Sequence, residues 1–295
     1  MGHSRSYRYL VVDVFTNQPL EGNSLAVFPD ASGLDDGAMQ RIARELNLSE
    51  TTFVFPATRT DCVAYVRIFT PFKEMVFAGH PTIGTSFVLL EEGMVSGSVA
   101  DFALEEKVGP VPIRVEPGPP PLIWLRTPPI EYGKKYDPAA CAEMLSLSVS
   151  DLLAVTPQWV SAGVPTVFVA VKSKEIVDRA LLDVGRLQAL IGADSEPLCV
   201  FVFAPTSEGP YSRMFAPLLG IPEDPATGSA TGPLASFMMR NGLTSGAAGR
   251  PFISEQGTKM GRRSFLHVRV HGDNGLHGID VGGYVTPLTK ATMQL

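Results

Sequence analysis

Residues 212–242 read SRMFAPLLGIPEDPATGSATGPLASFMMRNG, and residues 67–93 read RIFTPFKEMVFAGHPTIGTSFVLLEEG, on the same plan. Each opens with Arg, an aliphatic residue, Phe, a small residue and Pro: Arg67, Ile68, Phe69, Thr70, Pro71, and then Arg213, Met214, Phe215, Ala216, Pro217. Each then passes through a short loop into a small residue and Gly, at Ala78–Gly79 and at Thr227–Gly228, and continues as a helix. The arginines lie nearly half the chain apart, which reads as a duplication with one functional turn per half. A Gly at a helix start lets the backbone approach a ligand with no Cβ in the way. The first N–H groups of the helix are unpaired and carry partial positive charge, so such an end can seat an anion. Two such ends could hold one small carboxylate-bearing molecule. The plainer alternative is a pair of strand-to-helix turns that merely require Gly.

Chemistry-bearing residues stand in or beside both turns. His80 follows Gly79, and Pro81 occupies the first helical turn, where a missing N–H costs least. His80 is a candidate substrate group, with a capping or packed imidazole as the alternative. In the second turn Asp224 precedes Pro225, Ala226 and Thr227, and Ser229 follows Gly228. Asp224 could favour the helix dipole, bind a substrate amino or hydroxyl group, or assist proton movement. Ser229 could cap the helix or donate to a ligand. Glu50 sits where a helix gives way to a strand, between apolar neighbours. It is either an exposed loop acid or an acid whose pKa is raised by partial burial until it can take and return a proton near neutrality.

The intervening chain supplies the elements. Residues 9–15 (YLVVDVF) and 23–28 (NSLAVF) predict strands about a turn with Pro19 and Gly22. Asn23, at the mouth of that hairpin, reads as a turn residue rather than a ligand contact. Met39, Ile42, Ala43 and Leu46 recur at helical spacing over 35–46, and strands follow at 51–55 and 62–70. Two short strands fit within 99–115, and PGPPP at 117–121 reads as the interdomain linker. Beyond it the pattern gives a strand at 122–126 and helical spacing over 137–154 with a break near Ser146 and Ser148. A strand at 166–171, a helix over 176–190 and a strand at 199–204 follow. After the helix ending at Asn241 and Gly242, strands at 252–255, 265–270 and 279–285 finish the chain, with Arg262 and Arg263 in a solvated turn. The expected domains are residues 1–118 and 122–295, with the C-terminal strand able to pack back on the first.

Composition bounds the function. The chain has 295 residues, 45% of them hydrophobic and 18% charged, enough for two domain cores. Net charge is −6 and no stretch clusters Lys and Arg, which argues against nucleic acid as a partner. No apolar run is long enough to span a bilayer, so no membrane partner is expected. Cys62, Cys141 and Cys199 are widely spaced and odd in number, which fits a reducing, cytoplasmic setting and neither a metal site nor a disulfide framework. The N-terminus lacks a signal-peptide core; MGHSRS matches the loose myristoylation pattern, a short match that arises often by chance. Neither turn carries a phosphate-binding loop of the Gly, Lys, Ser/Thr type.

The stretches LEGNSLAVF, MQRIARELNLSETTFVF, RIFTPFKEMVFAGHP and RMFAPLLGIPEDPATGSATGPLA, in this order, resemble the PhzF-like isomerases of phenazine biosynthesis over nearly the full length. The resemblance implies an α/β (α+β), diaminopimelate epimerase-like fold. In that fold two similar domains each form a curved sheet or barrel around a central helix, with the active site in the interdomain cleft. Diaminopimelate epimerase uses two cysteines, one at each turn; the matching positions here are Ala78 and Thr227, neither of which can shuttle protons as a thiol does. The resemblance therefore implies carboxylate chemistry by Glu50, with His80 and Asp224 assisting and Gly79, Gly228 and Ser229 holding the substrate. The implied reaction is a cofactor-free isomerisation of trans-2,3-dihydro-3-hydroxyanthranilate by a homodimer. The alternatives are an isomerase or epimerase of another small amino or hydroxy acid, and a non-catalytic protein that binds a small acid.

Overall fold

The two matched stretches take the same place in two units of one topology. The computed structural model describes residues 5–96, 101–192, 196–244, 251–272 and 278–295. Its contacts divide into a first unit, Met1–Arg126 with Gly282–Leu295, and a second, Thr127–Val281. The first contains β1 (Ser6–Val14), β2 (Asn23–Phe28), α1 (Asp36–Leu46), β3 (Glu50–Phe55), β4 (Ala64–Phe69), β5 (Glu74–Met75), α2 (Gly79–Glu91), β6 (Asp101–Glu106), β7 (Gly109–Glu116) and β8 (Leu122–Arg126). The second contains β9 (Glu131–Lys135), α3 (Pro138–Met144), β10 (Gln158–Ser161), β11 (Thr166–Ala170), α4 (Lys174–Arg179) and α5 (Val184–Ile191). It continues with β12 (Cys199–Ala204), β13 (Tyr211–Ala216), β14 (Ile221–Asp224), α6 (Gly228–Arg240), β15 (Phe252–Gln256) and β16 (Ser264–Val270). The strand β17 (Ile279–Gly283) follows, and β18 (Val285–Gln294) ends the chain.

Strand pairing repeats between the units. In the first the order is β18-β1-β2-β3-β4-β6-β7, with β2/β3 and β4/β6 parallel and the other pairs antiparallel. In the second the order is β9-β10-β11-β12-β13-β15-β16, with β11/β12 and β13/β15 parallel and the rest antiparallel. The order of senses is therefore identical, as the duplication requires.

Each sheet packs on one helix buried on nearly every side. Residues 79–89 of α2 are all buried, against β1, β2, β3, β8 and β18. A helix can bury its whole circumference only if its polar side chains are satisfied internally. Thr82 donates to the Ala78 carbonyl at 2.7 Å, Ser86 to the Thr82 carbonyl at 2.8 Å, and Thr85 shares a 2.9 Å bond with Thr52. Gly84 permits the close approach: a Cβ there would lie 2.6 Å from Leu25 and 2.8 Å from Val14. The helix α6 is built alike, with Gly232 seated against Thr127. The expected α1 is present, capped by Asp35, closed by left-handed Asn47, and packed through Met39, Ile42 and Ala43.

The structure departs from the sequence reading in four places. The Pro run at 117–121 is the turn of a hairpin, with Glu116 opposite Leu122, so residues 122–126 stay with the first unit and the division falls after Arg126. The helix expected over 176–190 is two, α4 and α5, because Leu181 and Asp183 turn their N–H groups to the carbonyls of Leu145 and Met144. Of the span 137–154 only Pro138–Met144 is α-helical; Ser146 is left-handed and a 3-10 turn covers Val149–Asp151. The strand expected over 279–285 ends at Gly283, and a separate strand, Val285–Gln294, pairs along β1, packing back on the first unit as the sequence reading allowed. Residue Val99, the expected start of the strand now seen from Asp101, and Met1 to Ser4 of the myristoylation-like start lie outside the described residues. Among the described residues no helix is long and apolar enough to cross a membrane.

Candidate active site

In the first unit three element starts converge. Asn23 opens β2, Glu50 opens β3, and His80 is the second residue of α2; their exposures are 1%, 8% and 4%. The parallel register of β2 and β3 sets Leu25 opposite Glu50, which brings both strand starts to one edge. The Asn23 side-chain nitrogen lies 3.2 Å from His80 Nδ1, and His80 Nε2 lies 3.3 Å from Glu50 Oε2. An amide N–H donated to Nδ1 fixes the ring proton on Nε2, where it faces the carboxylate. Burial pushes the His80 pKa down to about 3, so the ring is neutral near neutrality. Glu50 is thus not the exposed loop acid of the sequence alternatives. Asn23, read from the sequence as a turn residue, contacts the imidazole; 57 residues separate the pair and no local pattern links them.

The sign of the His80 effect on stability follows. The unfolded chain binds the imidazole proton below about 6.5, whereas the folded chain refuses it until about 3. Stability is therefore expected to fall as pH drops through this window, and a His80→Gln variant should show a flatter profile there. Titration followed by NMR should find the His80 ring unchanged between about pH 5 and 8.

In the second unit Asp224 ends β14 and is buried, as are Thr227 and Ser229. The Thr227 hydroxyl donates to Asp224 Oδ2. Gln256, at the end of β15, donates to Thr227 Oγ1 at 3.0 Å and to the Asp224 carbonyl at 2.7 Å, and accepts from the Thr227 N–H at 3.2 Å. These bonds run in one direction, from amide to hydroxyl to carboxylate. Gln256 belongs to no sequence motif, and no local pattern marks it.

Both helix starts are open. Neither Ala78 nor Thr227, the residues preceding α2 and α6, caps its helix with a side chain. The N–H groups of Gly79 and His80, and of Gly228 and Ser229, therefore have no intrahelical acceptor, and Pro81 has no N–H at all. Each start can receive an anion.

Superimposing the registers shows what the duplication kept and what it changed. Arg67 pairs with Phe53 and Arg213 with Val202; each arginine binds a glutamate seven or ten residues on, Glu74 at 2.7 Å and Glu223 at 2.8 Å, and lies over the Phe two residues ahead. On this shared frame the first unit has Glu50 where the second has Cys199, and His80 where the second has Ser229. The second has Asp224 and Thr227 where the first has Met75 and Ala78. Glu50 and Asp224 thus stand at non-equivalent positions of the shared frame. Among the described residues no three His, Cys, Asp or Glu side chains gather as a metal ion would require.

Comparison with known proteins agrees with this frame. The family model for phenazine biosynthesis-like proteins matches residues 12–291. A trans-2,3-dihydro-3-hydroxyanthranilate isomerase of Pseudomonas fluorescens is 34% identical, over 98% of this chain and 100% of its own. An uncharacterised isomerase of Mesorhizobium japonicum is 37% identical, over 97% and 98%. A PhzF-family phenazine biosynthesis protein of Bacillus anthracis superposes with a TM-score of 0.87 at 25% identity, covering 99% of this chain and all of that one. A hydroxyproline epimerase of Agrobacterium vitis, at 14% identity and a TM-score of 0.69 over 100% of this chain and 94% of its own, shares the fold. The expected diaminopimelate epimerase-like fold is therefore the fold observed.

Proposed function

The chain belongs to the PhzC-PhzF family of phenazine biosynthesis-like proteins and is an isomerase of that family; from that premise we propose that it isomerises trans-2,3-dihydro-3-hydroxyanthranilate by a proton transfer that Glu50 carries. The observation behind this reading is a buried carboxyl group 3.3 Å from the Nε2 of a histidine that burial keeps neutral. The neutral imidazole lies 3.3 Å from the carboxyl group without hydrogen-bond alignment and leaves the proton to Glu50. Glu50 removes the proton at C3, the C–H electron pair enters the ring π system, and Glu50 delivers a proton at C1. The C3 hydroxyl is left on a double bond as an enol, which tautomerises to the ketone. Atoms and charge balance within substrate and Glu50, so this step calls on no redox partner. Gly79 and Gly228 offer backbone N–H groups to the substrate carboxylate, Ser229 offers its hydroxyl, and Asp224 holds the amino or hydroxyl group.

Dihydrohydroxyanthranilate offered to the protein should disappear by absorbance and yield a product of unchanged mass. In deuterated water its carbon-bound hydrogens should exchange. A second reading, an isomerase or epimerase of another small amino or hydroxy acid, draws on the relative at 37% identity, which carries the isomerase name without a substrate. Inertness of dihydrohydroxyanthranilate, together with exchange into a member of a small-acid panel, would replace the first reading with the second.

A further inference from the structure

A buried carboxyl group in the first unit, Glu106, stands outside the chemistry above. Glu106 ends β6, is 3% exposed, and holds its Oε1 2.5 Å from Thr82 Oγ1 in the first turn of α2. The same hydroxyl lies 2.7 Å from the carbonyl oxygen of Ala78, the residue that precedes the helix. A hydroxyl has a single proton, and a backbone carbonyl can only accept. The contact with Ala78 consumes that proton, just as Thr231 gives its own to the Thr227 carbonyl at 2.9 Å in the second unit. The second contact then needs a proton from Glu106, which a carboxylate does not have. A neutral acid satisfies both bonds, with Glu106 O–H donating to Thr82 and Thr82 donating to Ala78.

The repeat supplies an independent observation. Tyr65 pairs with Glu105 in the first unit and Tyr211 with Glu255 in the second, so Glu106 and Gln256 hold equivalent positions, each at the end of its strand. Gln256 braces the start of α6 with an amide, a donor at any ordinary pH. The two sheets therefore place a donor in the same spot, under the start of the central helix.

We propose that Glu106 is a positioning residue that, as a neutral acid acting through Thr82, holds the turn bearing Gly79 and His80, as the Gln256 amide holds the start of α6. The charged side chains on neighbouring elements turn elsewhere: Arg67 to Asp36 and Glu74, Lys107 to Glu74, Arg114 to Asp101, Glu105 to Thr58, and His80 to Asn23 and Glu50. Burial pushes the Glu106 pKa up to about 8, opposed only by the Thr82 hydroxyl. Folded protein keeps this proton while the unfolded chain loses it near 4.5, so stability falls as pH rises between these values and levels off above about 8. Beyond that point Thr82 has one proton for two acceptors, so the relay from Glu106 through Thr82 to the Ala78 carbonyl is broken.

The test begins without turnover, so its failure is distinct from failure of the isomerase reading. Infrared difference spectra of wild type against Glu106→Gln should show a protonated carboxyl carbonyl band at pH 7 that disappears with a midpoint near 8. Absence of that band at pH 7 overturns the proposal. The unfolding free energy of Glu106→Gln should lack the decline with pH seen in wild type; parallel profiles also overturn it. With turnover as readout, wild-type kcat should fall above about pH 8 while Glu106→Gln stays active there, with KM within about twofold. Thr82→Val, which cuts the link, should lower kcat about tenfold at neutral pH in either background. A folded Glu106→Gln inactive at every pH would show that the amide cannot replace the acid and would sink the idea.

Discussion

Glu50→Gln is expected to lower turnover by roughly 10³–10⁴-fold while leaving substrate affinity within a few-fold of wild type. The amide matches the carboxylate in size and can keep the same place, 3.3 Å from His80 Nε2. Asn23 and the tautomer of His80 should therefore be undisturbed. What the amide cannot do is take a proton from carbon and give it back, because its basicity is far too low. Calorimetric binding and single-turnover exchange in deuterated water separate the two effects. Glu50→Asp sharpens the comparison: it keeps the acid but withdraws it by one methylene, and should lose less than the amide. If Glu50→Gln turns over within tenfold of wild type, the proton travels by another group, and the second unit's Asp224 becomes the first to examine.

The residues that could be found in the sequence were those marked by local pattern. The repeated Arg, aliphatic, Phe, small, Pro opening located both turns, and the small-residue-and-Gly starts located both helices with His80, Asp224 and Ser229 in or beside them; Glu50 was marked by the junction of α1 and β3. Residues defined by pairing between distant strands left no such mark. Asn23 meets His80 only because β2 lies against α2, and Gln256 meets Thr227 only because β15 pairs with β13. Glu106 looked like one more acid in the charged run Glu105, Glu106, Lys107, although its neighbours face solvent and it does not. The Pro run at 117–121 shows another limit. Proline reports that ladder bonding stops, and it stops equally between domains and between two strands of a hairpin. In the helical span 176–190 the apolar residues Ala180, Leu181 and Leu182 carried the pattern across a break that tertiary bonds from 181 and 183 impose. For β18 the packing of a C-terminal strand back on the first unit was legible, but its register along β1, at the other end of the chain, was not.

Asp224→Asn and Thr227→Val should divide chemistry from structure in the second unit. The asparagine keeps an oxygen to accept from the Thr227 hydroxyl, and Gln256 still reaches the residue's backbone carbonyl, so the fold should lose less than about 1 kcal/mol. The negative charge goes, and one acceptor oxygen becomes an NH2 donor. If Asp224 holds the substrate or assists the proton, kcat should fall about 100-fold. Thr227→Val does the opposite. It keeps the charge but removes the hydroxyl between Gln256 Nε2 and Asp224 Oδ2, and a buried polar link cut at one partner costs about 1–3 kcal/mol. Chemical unfolding and steady-state kinetics should therefore cross, with the larger kinetic loss in Asp224→Asn and the larger stability loss in Thr227→Val. The double variant adds a check, because Thr227 touches Asp224 and their kinetic effects should couple if the hydroxyl aims the carboxylate. Strict additivity would mean that Thr227 only packs. Asp224→Asn with turnover within threefold of wild type would reduce Asp224 to a support for the start of α6 and leave the first unit to carry the proton alone.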